Sequence, residues 1–343
     1  MLPDLLQSPE TLRAGFAAGL ERQLDAPGLG ALILVLANAH FDADLWPHLA
    51  PRLRARFADH ADRCRTALRH GQRMSDTEDD LLVFLKLLAI GFDELAPVEA
   101  RSLGALELSF NPLRALRPPR ASRLTPQNSQ PPAFDAAAFH FNKPFLRPEI
   151  LWEGDLLGLN SRLLYNKFPF APLHGLLVPE PLAQRPQVLD VDLFAYASAL
   201  TNALGARIPG WLTTYNSYGA YASVNHLHLQ TAVRNTPLPV ELPIWTHNGG
   251  MTDYPLNGHR FSHSAEAWTH VAQLQAEGRA FHVLWRPGAI TVLPRRLQGH
   301  YSHADWSAGY AWFEAAGIAT VFAHEDFVHL REDDLWRELG KLV

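Results

Sequence analysis

The stretch Tyr215-Asn-Ser-Tyr-Gly-Ala-Tyr-Ala-Ser-Val-Asn-His-Leu-His-Leu-Gln230 decides how this chain is read. Its last five residues alternate polar and apolar with a period of two, the pattern of a half-buried strand. On such a strand His226, His228 and Gln230 line one face while Leu227 and Leu229 enter the core. Two imidazoles and an amide therefore converge on one cleft. Neutral imidazole is a competent nucleophile at pH 7, and a positioned His can carry a phosphoryl or nucleotidyl group as a covalent intermediate. The same His-x-His pair also suits a divalent metal, which would need further His, Asp or Glu ligands, and the chain has 17 His to draw on.

Upstream lies Tyr165-Asn-Lys-Phe-Pro-Phe-Ala-Pro-Leu-His-Gly-Leu-Leu-Val-Pro179. Asn166 can donate to a sugar or phosphate oxygen, and His174 opens an apolar strand that can pair beside the one bearing His228. Further short apolar or alternating runs, broken by Gly, Pro and Asn, are expected strands: 150–160, 174–178, 211–215, 224–233, 281–285, 290–293 and 318–322. Helical patterns over 191–204, 265–276 and 308–316 lie between them, which makes this part of the chain α+β. A run ending Leu-Leu-Val-Pro at Pro179 echoes one ending Thr-Val-Leu-Pro at Pro294, a hint of two related halves.

The first 100 residues carry a different period. Ser8-Pro9 reads as a helix N-cap followed by Pro at the first helical position, with Leu12, Phe16, Leu20 and Leu24 on one face. Phe41 to His70 gives a second amphipathic pattern that stops at Gly71, and Asp76 to Leu95 a third with acidic residues in its first turn, where the helix dipole favours them. No chemistry is evident in these helices. Two units are thus expected, a helical region over 1–100 and a second domain over 101–343. Their junction is Pro-rich between Asn111 and Pro132, where regular structure should lapse; Arg114, Arg117 and Arg120 make it basic.

Composition narrows the classes. With 343 residues, 47% hydrophobic and 19% charged, the chain is a globular protein able to bury a large core. A formal net charge of -5 without a basic block argues against nucleic acid as partner. The most apolar windows, 29–39 and 81–92, fall short of the ~20 residues that span a bilayer, so no membrane partner is expected. The single cysteine, Cys64, excludes an internal disulfide and a thiolate zinc site and suits a reducing compartment. Asp4 stands where a secretion signal would be positive, so export is not indicated and a cytoplasmic location is expected.

Two levels of resemblance join these readings. A His-Leu-His-Leu-Gln strand preceded by the His174 strand resembles the histidine-triad superfamily, and Gln in the last place resembles its galactose-1-phosphate uridylyltransferase branch. The runs Ser109-Phe-Asn-Pro-Leu-Arg-Ala-Leu-Arg-Pro-Pro119, Phe139-His-Phe-Asn-Lys143 with Glu149-Ile-Leu-Trp152, Asn216 to Gln230, and Asp253-Tyr-Pro-Leu-Asn-Gly258 are similar, in that order, to the GDP-hexose phosphorylases. Glu314 to Phe327 resembles the end of that family's pattern. The segment 165–172 instead looks closer to diadenosine polyphosphate phosphorylases, and the region before Ala100 matches neither.

The resemblance implies an antiparallel sheet of the galactose-1-phosphate uridylyltransferase kind with helices, preceded here by the helical region. It implies phosphorolysis of a GDP-hexose to GDP and hexose 1-phosphate through a nucleotidyl-His228, without cofactor or metal. His226 would orient the cleft. Gln230, Ser223, Asn216, Ser217 and Lys143 would donate to phosphate oxygens, and His174 would pack beside the nucleophile. Asn142, Asn166, Gly219 and Asn225 join the substrate-binding set by motif position, and Arg114 with Arg117 would hold the incoming phosphate. Trp211 or Tyr218 are candidates for stacking on a base. The expected partners are a nucleotide sugar or a dinucleoside polyphosphate, and inorganic phosphate, with a homodimer as candidate assembly. The alternatives are a diadenosine tetraphosphate phosphorylase and a metal-dependent hydrolase using the His-x-His pair.

Overall fold

The computed structural model of the chain describes residues 2–95, 97–116, 126 and 128–343. Four helices come first: α1 (Pro9–Gln23), α2 (Leu29–Ala39), α3 (Leu45–Arg69) and α4 (Glu78–Ile90). Helix α1 starts as its sequence predicts: the Ser8 hydroxyl accepts from the Thr11 amide, Pro9 occupies the first turn, and Leu12, Phe16 and Leu20 are buried. Thr77 caps α4 in the same way, ahead of Glu78, Asp79 and Asp80. Helix α2 is buried at nine of its eleven residues and forms the centre of this layer, while α3 ends at Gly71, whose φ of +62° suits a helix stop. Among the described residues, no helix is long and apolar enough to cross a membrane.

The strands form two sheets. A hairpin of β1 (Glu99–Leu103) and β2 (Leu106–Phe110) joins β11 (Ile318–Val321), which runs parallel to β2. The larger sheet contains β3 (Ile150–Leu156), β4 (Leu159–Tyr165), β5 (Gly175–Pro179), β6 (Trp211–Asn216), β7 (Leu229–Val233), β8 (His259–Phe261), β9 (Ala280–Arg286) and β10 (Ala289–Arg295). Its order is β3-β4-β5-β7-β6-β9-β10-β8, antiparallel throughout. The architecture is α+β with a helical N-terminal region, as expected. The two echoing strands, β5 and β10, lie on opposite sides of the central β7-β6 pair.

Helices α5 (Val191–Gly205) and α6 (Ser264–Ala276) cover one face of the large sheet, packing on Leu163, Leu177, Leu229, Phe281 and Trp285. Near the C-terminus, α7 (Trp312–Ala315), α8 (His324–His329) and α9 (Glu332–Gly340) share a core with β2, β11 and the opposite face, represented by Leu212, Leu284 and Leu293. The N-terminal helices dock at the end of β4. The Tyr165 hydroxyl donates to the Phe16 carbonyl at 2.7 Å, and its ring meets Phe16 edge-on. Gly19 makes this approach possible, since a Cβ there would lie 1.9 Å from the Tyr165 oxygen.

Four expectations change. The run 150–160 is a hairpin instead of one strand, turning at Leu157 and Gly158, both at positive φ. The helix expected over 308–316 shrinks to the four residues of α7. The hairpin of β1 and β2 was not expected, because its third partner, β11, is some 200 residues distant and its own pattern is half exposed. Regular pairing in the key stretch begins only at Leu229, so the segment bearing His226 and His228 is extended but not laddered. Gln187 takes the place of the missing ladder: its amide donates to the carbonyls of Asn216 (3.0 Å) and His228 (3.1 Å) and accepts from the His228 amide (2.9 Å).

Candidate active site

The side-chain alternation survives this departure from regular strand. Leu227 and Leu229 enter the core under α5, while His228 and Gln230 face the other way, into a cavity of about 470 Å³. The sheet supplies one wall, with Leu164, Leu176, Asn216 and Gln230. The helical region also contributes to the lining, with Gly28, Gly30 and Asp80.

His228 is buried, and its Nδ1 donates to the His226 carbonyl at 2.8 Å. That bond fixes the tautomer and leaves the lone pair on Nε2, to which no described residue hydrogen-bonds. Burial lowers the pKa of the ring to about 4, so it is neutral at pH 7. The bonding of His226 is different. Its Nε2 donates to the Pro181 carbonyl (3.1 Å), its Nδ1 accepts from the Phe141 amide (3.2 Å), and its ring stacks on Phe141. Both nitrogens are thus committed away from the cavity. The pair does not present two lone pairs to one point, and the described residues contain no cluster of three His, Cys, Asp or Glu placed to hold a metal.

Two amides share the cavity with His228, and each has its oxygen fixed by two donors. The Gln230 Oε1 accepts from His174 Nε2 (2.9 Å) and Trp312 Nε1 (2.8 Å). The Asn216 Oδ1 accepts from His282 Nδ1 (2.7 Å) and the Trp312 backbone amide (3.1 Å). The NH₂ groups are left over, and the Asn216 Nδ2 is buried with no partner among the described residues. Both residues line the cavity, so two N–H donors are preorganised beside a neutral imidazole. Trp312 locks both amides, one with its indole and one with its backbone.

The other predicted residues divide. Asn166 and Ser223 line the cavity. His174 stands behind Gln230, fully buried, with its Nδ1 accepting from the Phe170 amide. Arg114 also lines the cavity, but its guanidinium donates to the Phe168 carbonyl and lies over the Phe170 ring, so it is built into the wall. Lys143 is turned outward, donating to the carbonyls of Ala136 and Ala137. Asn142 donates to the Pro181 carbonyl and accepts from Arg162. Ser217 accepts from the Phe281 amide, Asn225 ties Gln187 to Pro132, and Gly219 makes a left-handed turn against Leu297; none of the three reaches the cavity. Trp211 is in the core under α5, and Tyr218 is likewise absent from the cavity wall. Arg117 lies outside the described residues.

Sequence reasoning missed Gln187, Trp312 and His282, which touch no substrate-facing space of their own and act by fixing neighbours. It also passed over Tyr221, a cavity residue at φ +63°, and the charged trio Glu149, Lys167 and Asp80. Glu149 opens the run Glu149-Ile-Leu-Trp152 and Lys167 lies in the run Tyr165 to Pro179, so the signal was present.

Comparison with known proteins bears out the resemblance. Residues 108–232 match the family described as GDPGP1-like, N-terminal domain. The chain is 37% identical to human GDP-D-glucose phosphorylase 1 over 134 residues, covering 36% of this chain and 32% of that protein. It is 35% identical to GDP-L-galactose phosphorylase 2 of Arabidopsis thaliana over 207 residues, covering 53% of this chain and 48% of that one. The chain thus spans between a third and a half of the length of these curated relatives. Yeast Ap4A phosphorylase Apa2 superposes with a TM-score of 0.49 at 17% identity, over 78% of this chain and 95% of that one. Over these segments the chain is similar to the GDP-hexose phosphorylases.

Proposed function

We propose that the protein cleaves a GDP-hexose with inorganic phosphate, through a guanylyl group carried on His228. The observation that carries this reading is the neutral His228 Nε2 standing in a cavity between two amides whose oxygens are locked and whose NH₂ groups are not. The names of its relatives support the choice of GDP-hexose.

The Nε2 lone pair attacks the α-phosphorus, and the bond from that phosphorus to the bridging oxygen breaks. Hexose 1-phosphate departs with the electron pair. The ring becomes cationic as the N–P bond forms, and its Nδ1–H bond to the His226 carbonyl strengthens with that charge. No base is needed, because the attacking nitrogen holds no proton. The amides of Asn216 and Gln230 donate to the α-phosphate oxygens, whose charge shifts in the transition state. A phosphate oxygen then attacks the same phosphorus, the P–N bond breaks, and GDP leaves with His228 neutral again.

The test is a time course with GDP-hexose, with and without phosphate. Phosphate-dependent appearance of GDP and hexose 1-phosphate in equal amounts is expected. If GDP-sugars are inert and a dinucleoside tetraphosphate gives a nucleoside triphosphate plus a diphosphate, the substrate reading is wrong while the nucleophile stands. Cleavage that requires an added divalent metal and proceeds without phosphate would overturn both.

A further inference from the structure

The far end of the cavity contains a carboxyl and an ammonium that the proposed chemistry does not use. Glu149 lines the cavity and makes no hydrogen bond to a described residue; burial raises its pKa to about 7, Lys167 lowering it and Asp80 raising it further. Lys167 spends one of its three donors on Asp80, at 2.6 Å, and also faces the cavity. Between these groups and Gln230 runs an apolar row set by strand register: Ile150 pairs with Leu164, Leu164 with Leu176, and Leu176 with Gln230. Glu149 immediately precedes this row. Three inter-strand steps separate Ile150 from Gln230, roughly 14 Å at about 4.8 Å each. That is the scale of a nucleoside reaching from its α-phosphorus to the far edge of its base.

We propose that Glu149 and Lys167 read the pairing edge of a guanine, the carboxylate accepting from N1–H and the 2-amino group while the ammonium donates to O6, with the ring laid on the Leu164–Leu176 row. Guanine is the base whose edge offers two adjacent donors and an acceptor in that order. Adenine presents a bare N1 to the carboxylate and an amino group to the ammonium, a mismatch at both points. A carboxylate at this distance also stays clear of the phosphates. The inference rests on His228 as the nucleophile at the α-phosphorus, and it gives the N-terminal helices a role. Asp80 of α4 holds Lys167 in place. Gly30 of α2 leaves room for the pair, since a Cβ there would come within 2.9 Å of the Asp80 carboxylate and 3.1 Å of the Lys167 Nζ.

Calorimetric titration of the full chain with GDP, IDP and ADP tests this without turnover. The wild type should bind GDP about tenfold more tightly than IDP, which lacks the 2-amino group, and at least a hundredfold more tightly than ADP. Glu149→Gln places an amide that pairs with adenine, so GDP should weaken at least tenfold while ADP does not weaken, a change that mere loosening of the site would not produce. Lys167→Met, with its shape kept and its donor lost, should weaken GDP and IDP alike. Wild-type affinities for GDP and ADP within threefold of one another, or an unchanged GDP-to-ADP ratio in Glu149→Gln, would overturn the proposal. If Glu149→Gln does not fold, the wild-type series and Lys167→Met decide it. Guanine selectivity without phosphorolysis would sink the reaction reading and leave this site standing; phosphorolysis without selectivity would do the reverse.

Discussion

At the His228 end of the cavity, Asn216, Gln230 and His228 each have one side of their polar group bonded to protein and the other directed inward. At the Glu149 end, a carboxyl with no hydrogen bond to a described residue and a lysine held by one carboxylate meet the same space. The first end is neutral and wired, the second charged and lightly held. Charge that moves during a reaction is best met by dipoles already in place, because they need no reorganisation when it moves. Selection among ligands is best met by groups that remain unsatisfied until the right partner arrives, because a wrong partner then leaves them buried and unpaired. The contrast separates turnover from selectivity, and substitutions at the two ends should fail differently.

The sharpest break is His228→Ala. Asn216 and Gln230 can stabilise charge but cannot carry a nucleotidyl group, so turnover should fall by at least about four decades while the protein remains folded. Retention within about tenfold, a barrier change of only ~1.4 kcal/mol, would refute the covalent route. His226→Ala should cost less, since both nitrogens of His226 hold the Phe141 and Pro181 backbone and neither meets the cavity.

Next come the amides. Gln230→Leu and Asn216→Leu should each lower kcat about 10²- to 10³-fold, the usual cost of one preorganised donor, and leave the affinity for GDP within a few fold. Trp312→Phe removes the indole N–H from Gln230 but keeps the backbone bond to Asn216, so about a tenfold fall is expected. A loss in KM alone would place these groups in binding instead of catalysis.

That the cavity-facing His228 was legible and the groups around it were not has a physical reason. The period of two across His226 to Gln230 survives in the structure because Leu227 and Leu229 must reach the core, whatever holds the backbone. Helix α1 was legible for a similar reason: its cap and its apolar stripe are local. Lys143 and Ser217 were assigned by their place in a motif, and motif position does not say which way a side chain turns. Trp312 and His282 sit 82 and 66 residues from the amides they lock, and no local pattern records such pairs. The wall made by the N-terminal helices is equally non-local, which is why Asp80 read only as an ordinary first-turn acid.

Acidity tests the neutral end as a whole. Burial lowers the pKa of His40, His226 and His228 from the ordinary 6.5 to about 4. Between those values the unfolded chain binds more protons than the folded one, so stability rises with pH through the window. It is fully present above about 6.5 and is lost as pH falls toward 4. Glu149 and Glu314 act in the opposite sense, both raised by burial, but two carboxyls do not reverse three imidazoles joined by further lowered rings such as His282. At about 1.4 kcal/mol per unit per group, the loss should reach several kcal/mol. Urea midpoints at pH 7, 5.5 and 4.5 measure it, and a flat series would mean that these rings are not buried in their neutral form.

The smallest effect expected is at Lys143, a residue that its motif position makes a phosphate ligand. Its Nζ donates to the Ala136 carbonyl at 2.8 Å and to the Ala137 carbonyl at 3.3 Å, outside the cavity. Lys143→Ala should therefore change kcat and the phosphate KM by less than about threefold, and stability by no more than ~1 kcal/mol for a partly exposed hydrogen bond. A fall of a hundredfold with the phosphate KM raised would mean that substrate draws the 136–143 loop inward. The positive charge for the incoming phosphate would then come from a group that the free protein turns away from the site, and the His228 end would be less completely preassembled than its amides indicate.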